Sequence, residues 1–237
     1  MRRRKPSAAR ISTTSACGVA FHAKEETMSK RPTSPRPSII GHHLIWTLYG
    51  HWLANDLRGS GSIELYDEKF APLGPIHQGR KPEHLQPTRR ELREFYRKAE
   101  PLLNFPRFWI DDAKRQAIGS EIGRVVAQRK YTVWACAILK NHVHMVIRRH
   151  RDDALAMWNA IAEATAAMLR TSADVGTPHP VWSMRPYKVF LRTPDELWRR
   201  IGYVEGNPQK EGLPKQQYDF VQSYNNWPFH KVLAALR

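Results

Sequence analysis

His142, Val143 and His144 carry the plainest chemical pattern in this chain. In an extended strand side chains alternate, so the two imidazoles project from one face, about 7 Å apart along the chain, while Val143, Met145 and Ile147 point the other way. Two imidazoles so placed can converge on one metal ion. About sixty residues later Arg199, Tyr203 and Asn207 recur at steps of four, one stripe of a helix, beside a buried stripe of Leu197, Ile201 and Val204. A phenol is a nucleophile once ionised, and its ordinary pKa near 10 calls for help from a metal or from a guanidinium such as Arg199 or Arg200. Gly202 and Gly206 bracket Tyr203, each costing a helix about 1 kcal/mol against alanine. Close approach of a ligand or of another backbone would account for them.

Residues 42–49 are β-branched and aromatic, ending at Gly50, and read as a first strand. A long irregular segment follows to about Pro87, of a length that in a compact domain is usually functional. Thr88 and Glu91 form a capping box opening a helix to about Leu103, and a second helix starts at Asp112 with Ile118, Ile122, Val125 and Val126 on one stripe. Residues 131–139 and 142–148 read as a hairpin turning at Lys140 and Asn141, and residues 153–171 as a core-packing helix. A further strand spans 181–184 and 187–191, bent at Arg185 and Pro186. The last helix opens with a second capping box at Thr193 and Glu196, with Pro194 at its first position, and is expected to end at Asn207 because Pro208 disfavours helix before it. This order predicts an α+β, ferredoxin-like antiparallel sheet with helices on one face and the other face open, plus the long insertion after the first strand. Neither an internal repeat nor a Gly-rich phosphate loop is visible.

Lys and Arg outnumber Asp and Glu by 38 to 22 in 237 residues, a formal charge of +16, which points to a polyanionic partner, nucleic acid first. Residues 1–40 hold nine basic and two acidic residues, +7, with four prolines, and are expected to be a disordered basic arm. The remainder keeps 29 minus 20, or +9, so the folded part is basic too. The folded domain is expected over 41–214, with a C-terminal extension at 215–237. No apolar run is long enough to span a bilayer, and the two cysteines, Cys17 and Cys136, do not suggest a disulfide framework, so the expected setting is the cytoplasm, away from membranes.

Asn141-His142-Val143-His144 on a hairpin strand, followed by Tyr203-Val204-Glu205-Gly206-Asn207-Pro208 in a helix, resembles the single-tyrosine HUH transposases, the REP-associated tyrosine transposases in particular. The run from Tyr49 to Ser60 also looks like a segment found after the first strand in some members. The resemblance covers about residues 41–214. It implies that His142 and His144 bind Mg2+ or Mn2+, with Asn207 as a third ligand where some relatives carry glutamine. It also implies that Tyr203 attacks a single-stranded or hairpin DNA phosphate to leave a 5′-phosphotyrosine, as a monomer or a homodimer. Arg199, Arg200, Arg148 and Lys188 are the candidate DNA-binding side chains. The main alternative is a domesticated hairpin-binding protein without transposition activity, for which a metal site would be superfluous. A small-nucleotide phosphoesterase would want two separated H-x-[ST] motifs, and neither is present.

Overall fold

A computed structural model describes residues 38–65, 67–172 and 178–229, which belong to one compact unit, Pro37–Arg237. Of the basic arm expected at 1–40, residues 1–37 lie outside the described residues. Ile40 belongs to the fold: it is fully buried and its N–H donates to the Leu191 carbonyl at 2.8 Å.

Four strands, β1 (Gly41–Thr47), β2 (Val133–Ile138), β3 (His142–Arg148) and β4 (Tyr187–Leu191), form one antiparallel sheet in the order β2-β3-β1-β4. The helices are α1 (Arg89–Ala99), α2 (Asp112–Arg129), α3 (Ala154–Ser172) and α4 (Pro194–Lys210). Apart from α1 and the insertion before it, and α4 at the end, the chain order is β-α-β-β-α-β. The strand expected at 181–184 contributes only an isolated bridge, Trp182 to Leu48.

The two sheet faces are built differently. Leu44 and Trp46 of β1, Val133, Cys136 and Ile138 of β2, and Val143, Met145 and Ile147 of β3 bury one face against Ile118, Ile122 and Val125 of α2 and Met157 and Ile161 of α3. That is the expected helical layer. The opposite face, expected to be open, is partly covered: Leu197, Ile201 and Val204 of α4 pack on Trp134, Ala135, Ala137 and Val146. β2 serves both layers by alternation, and at a register shift between Val133 and Ala135 the successive residues Trp134 and Ala135 both fall in the α4 layer.

α4 begins where its capping box predicts, the Thr193 hydroxyl accepting from Glu196 N and the Glu196 carboxylate accepting from Thr193 N. It ends later than expected, running through Pro208 to Lys210. Proline removes one donor and crowds the carbonyl four residues back, but this falls in the last turn, and the turn beyond it is stitched by Glu211 N to Asn207 O and by Leu213 N to Pro208 O at 2.8 Å. Asn207 therefore sits inside the helix and is buried, not freed at its end.

The insertion has its own small core, with Leu53, Leu57 and Leu73 packed on Phe95, Tyr96 and Ala99. Its anchor is Asp56, fully buried, whose carboxylate accepts from Arg58 N, Nε and Nη2 and from the Tyr96 hydroxyl. Burial pushes the Asp56 carboxyl up, but these bonds outweigh it and hold the pKa below the usual carboxylate value. Gly59 (φ +87°) approaches the Gly79 carbonyl so closely that a Cβ would lie 1.9 Å from its oxygen.

After α4 the chain crosses back over the outer edge of β2. Gln216 receives Ile138 N on its side-chain oxygen and donates its side-chain nitrogen to Ile138 O, at 2.8 and 2.9 Å, standing in for a neighbouring strand. Tyr218 lies on Gly119 of α2, where a Cβ would come within 2.6 Å of its ring. Val221 bridges to Val133.

Candidate active site

His142 and His144 lie on the face that carries α4, and their Nε2 atoms approach to 3.1 Å. A chain of hydrogen bonds fixes the first ring. The Phe108 carbonyl can only accept, so His51 presents Nε2–H to it at 3.0 Å, which leaves His51 Nδ1 to accept from Asn141 Nδ2 at 3.4 Å. Asn141 Oδ1 then accepts Nδ1–H of His142 at 2.7 Å, and His142 Nε2 is left with a free lone pair aimed at His144. The asparagine before the first histidine thus sets that histidine's tautomer.

The second ring is held by a residue that sequence reasoning missed. His43 of β1, fully buried, places Nε2 at 3.0 Å from His144 Nδ1, with the two rings stacked. Its neighbour His42 faces the other side, against Phe190. Only the strand pairing reveals His43, because β1 lies 101 residues before His144 and alternation alone does not say which of His42 and His43 shares its face.

Tyr203 reaches this group from α4. Its ring lies edge-on to His144, centroids 5.7 Å apart, and to His43 at 6.0 Å, and the residue is 36% exposed. Lys210 Nζ lies 5.2 Å from the same ring centre. Tyrosine and histidines belong to one chain.

Burial pushes all three imidazoles toward the neutral form. His142 is lowered to about 4, with Arg58, His51 and Arg80 adding to the burial. His144 is lowered to about 2, by burial, the other two histidines, Arg80 and Arg200. His43 is lowered to about 4 by burial and Arg200. Neutral imidazole is the form that ligates metal. The Nε2 separation is that of two nitrogens sharing one cation at about 2.1 Å with an angle of roughly 95° between them. Among the described residues no group of three His, Cys, Asp or Glu could hold a metal, so a third ligand beside the two imidazoles would have to be of another residue type. Asn207 is one turn beyond Tyr203, and its side-chain nitrogen is buried without a partner. An amide nitrogen has no lone pair to give a cation, so only the Asn207 side-chain oxygen could join the two convergent imidazoles around a divalent ion that takes mixed nitrogen and oxygen ligands.

The four basic candidates do not gather. Arg200 is half-buried and close enough to depress both His43 and His144. Arg199 is exposed and turns back to the Asp195 carbonyl of its own helix. Arg148, at the far end of β3, stacks on Trp227 at 3.6 Å. Lys188 lies on the α3 side of the sheet, near His42 and Asp153. The rest of the positive charge beside the histidines comes from the insertion, as Arg80 and Arg58. Arg58 lies 3.7 Å over the Trp52 ring, which stands edge-on to His142. Nothing periodic in residues 50–87 signals this placement. A cavity of about 400 Å3 between α2 and the C-terminal segment contains none of these residues.

No family model matches the chain, and no curated protein matches it. Among solved structures it is similar to a REP-associated tyrosine transposase bound to a REP hairpin, with 15% identity, 87% of this chain and 86% of that one covered, and a TM-score of 0.41. It is also similar to a candidate transposase from Deinococcus radiodurans R1, with 11% identity, 76% and 97% covered, and a TM-score of 0.34. Neither likeness bears on what this chain does. No helix among the described residues is long and apolar enough to cross a membrane.

Proposed function

We propose that this chain cleaves and rejoins single-stranded or hairpin DNA in the manner of a single-tyrosine HUH transposase. The observation that carries the reading is Tyr203, exposed and edge-on to His144, beside two imidazole nitrogens that converge to 3.1 Å. DNA binding alone would not require that convergence.

His142, His144 and Asn207 would hold Mg2+ or Mn2+, which when bound supplies charge neutralisation on a non-bridging phosphate oxygen. Arg200 and Arg80 add fixed positive charge where the phosphate would sit. Tyr203 Oη forms the new bond to phosphorus as the bond to the departing 3′-oxygen breaks. The phenol gives up its proton and the 3′-oxygen gains one, so the step is proton-neutral overall. The 5′-phosphotyrosine keeps a phosphodiester linkage, and a second strand's 3′-hydroxyl can reverse the exchange.

The test is covalent capture. With Mn2+ or Mg2+ and a labelled hairpin taken from the DNA flanking the gene, an adduct resistant to denaturing electrophoresis should map to Tyr203. Tyr203→Phe should bind the hairpin and form no adduct; His142→Ala should lose the adduct with the phenol intact. An adduct at Tyr187 or Tyr218, or undiminished cleavage by Tyr203→Phe, refutes the assignment. Tight binding without cleavage would favour the domesticated binder.

A further inference from the structure

α4 does not cover the whole histidine face. Its apolar stripe lies over Val146 and Val189 and over Leu191 at the end of β4. The strand register defines the next cross-strand row: Tyr187 of β4 opposite Ile45 of β1, opposite His144 of β3. Residues directly opposite in antiparallel strands share a face, so Tyr187 stands on the same side as the histidines. This row is left partly open, with Ile45 half-buried and Tyr187 61% exposed on the edge strand. The Tyr187 ring borders Gly61 of the insertion, where a Cβ would come within 3.7 Å of it.

We propose that Tyr187 is a stacking platform for a base of single-stranded DNA next to the phosphate held at His142 and His144. This rests on the proposed function and adds a binding residue to it. Two strand spacings put Tyr187 about 10 Å from His144, a position suited to a nucleotide flanking the reacting one. An aromatic ring presented from a four-stranded sheet is a general way to receive an unpaired base, since every base has a π face. The surroundings suit a polyanion rather than a protein strand: Arg80 lies beside the histidines from the insertion, Arg200 from α4, and the chain carries +16. Tyr187 acts here through its ring, not its hydroxyl.

The experiment is fluorescence anisotropy of a labelled oligothymidylate with the full chain in EDTA, where no metal-dependent cleavage intervenes. Tyr187→Thr keeps the strand preference and removes the ring; binding should weaken about tenfold or more. Tyr187→Trp should bind as wild type or tighter. Wild-type affinity in the threonine variant overturns the proposal, as does a threonine variant that alters only subunit number on size-exclusion chromatography, which would make β4 a contact between copies. A Tyr203 adduct with no Tyr187→Thr binding defect would leave cleavage standing and remove the platform. The binding defect with no adduct from any hairpin would do the reverse.

Discussion

Replacing His43 by leucine separates the support of the proposed metal ligands from the ligands themselves. The residue is fully buried and makes one polar contact, at 3.0 Å to His144; its Nδ1 has no partner. Leucine fills a similar volume, keeps an apolar surface under the Tyr203 ring and removes the unpartnered nitrogen, so its effect on folding should stay within about 1–2 kcal/mol. What is lost is one neutral N–H···N bond, worth about 1 kcal/mol, plus the orientation of the His144 ring. Together these correspond to roughly tenfold in metal affinity, the low end of the range for removing a partner of a ligating histidine. The assay is adduct formation against Mn2+ concentration. The half-maximal concentration should rise about tenfold while the plateau at saturating Mn2+ stays near wild type, with the melting temperature little changed. An unchanged midpoint would show that His43 does not support His144. An equal loss at every Mn2+ concentration would mean that it acts on the reacting groups directly.

Asp56→Asn leaves the Arg58 guanidinium without its buried counter-charge and should cost about 3 kcal/mol or more in denaturant unfolding. Because the folded pKa of Asp56 is depressed, its contribution is fully present above the unfolded value near 4 and is lost as pH falls through the folded value. The gap between wild type and Asp56→Asn should therefore be constant near neutrality and close in acid; a gap that widens on acidification contradicts the sign. A Cβ at Gly202 or Gly206 meets nothing within 4 Å, so no other part of the described chain explains these glycines. Gly202→Ala and Gly206→Ala should each raise stability by about 0.5–1 kcal/mol, and a matching loss of DNA affinity is expected where DNA lies against the helix; unchanged affinity in both variants would exclude close approach there. Removing residues 1–36 deletes +7 while sparing Ile40. It should flatten the salt dependence of DNA binding by at most about 5 in the log–log slope without moving the cleavage position, and a shifted cut would place the arm in the site.

Local pattern carried part of this structure. Strict alternation from His142 to Ile147 put the histidines on one face and the core residues on the other, and a capping box fixed the start of α4. What escaped depends on distant pairing. His43 and His42 are equivalent by composition, and only the register of β1 against β3 selects between them. Arg80 and Arg58 come from a segment without periodicity, where position is set by the Asp56 anchor and by the contact of Gly59 with Gly79. Pro208 misled for a different reason: in the last turn its cost is one missing donor and one crowded carbonyl, and the following turn re-ties the carbonyls. The helices were expected on one face because amphipathic stripes reveal that a helix has a buried side, not which side of the sheet receives it.

The Gln216 contact has a consequence for how the protein is made. An edge strand with unpaired N–H and C=O groups is a template for pairing with other chains. Here the outer edge of β2 is occupied by a segment that leaves the ribosome about eighty residues after that strand. During synthesis, which proceeds from the N-terminus, β2 and its hairpin partner can form while that edge is still bare. The interval between the emergence of Ile138 and of Gln216 is thus the time when a nascent chain is most exposed to pairing with a neighbour on the same message, and the residues that end that exposure lie outside the histidine and tyrosine group altogether.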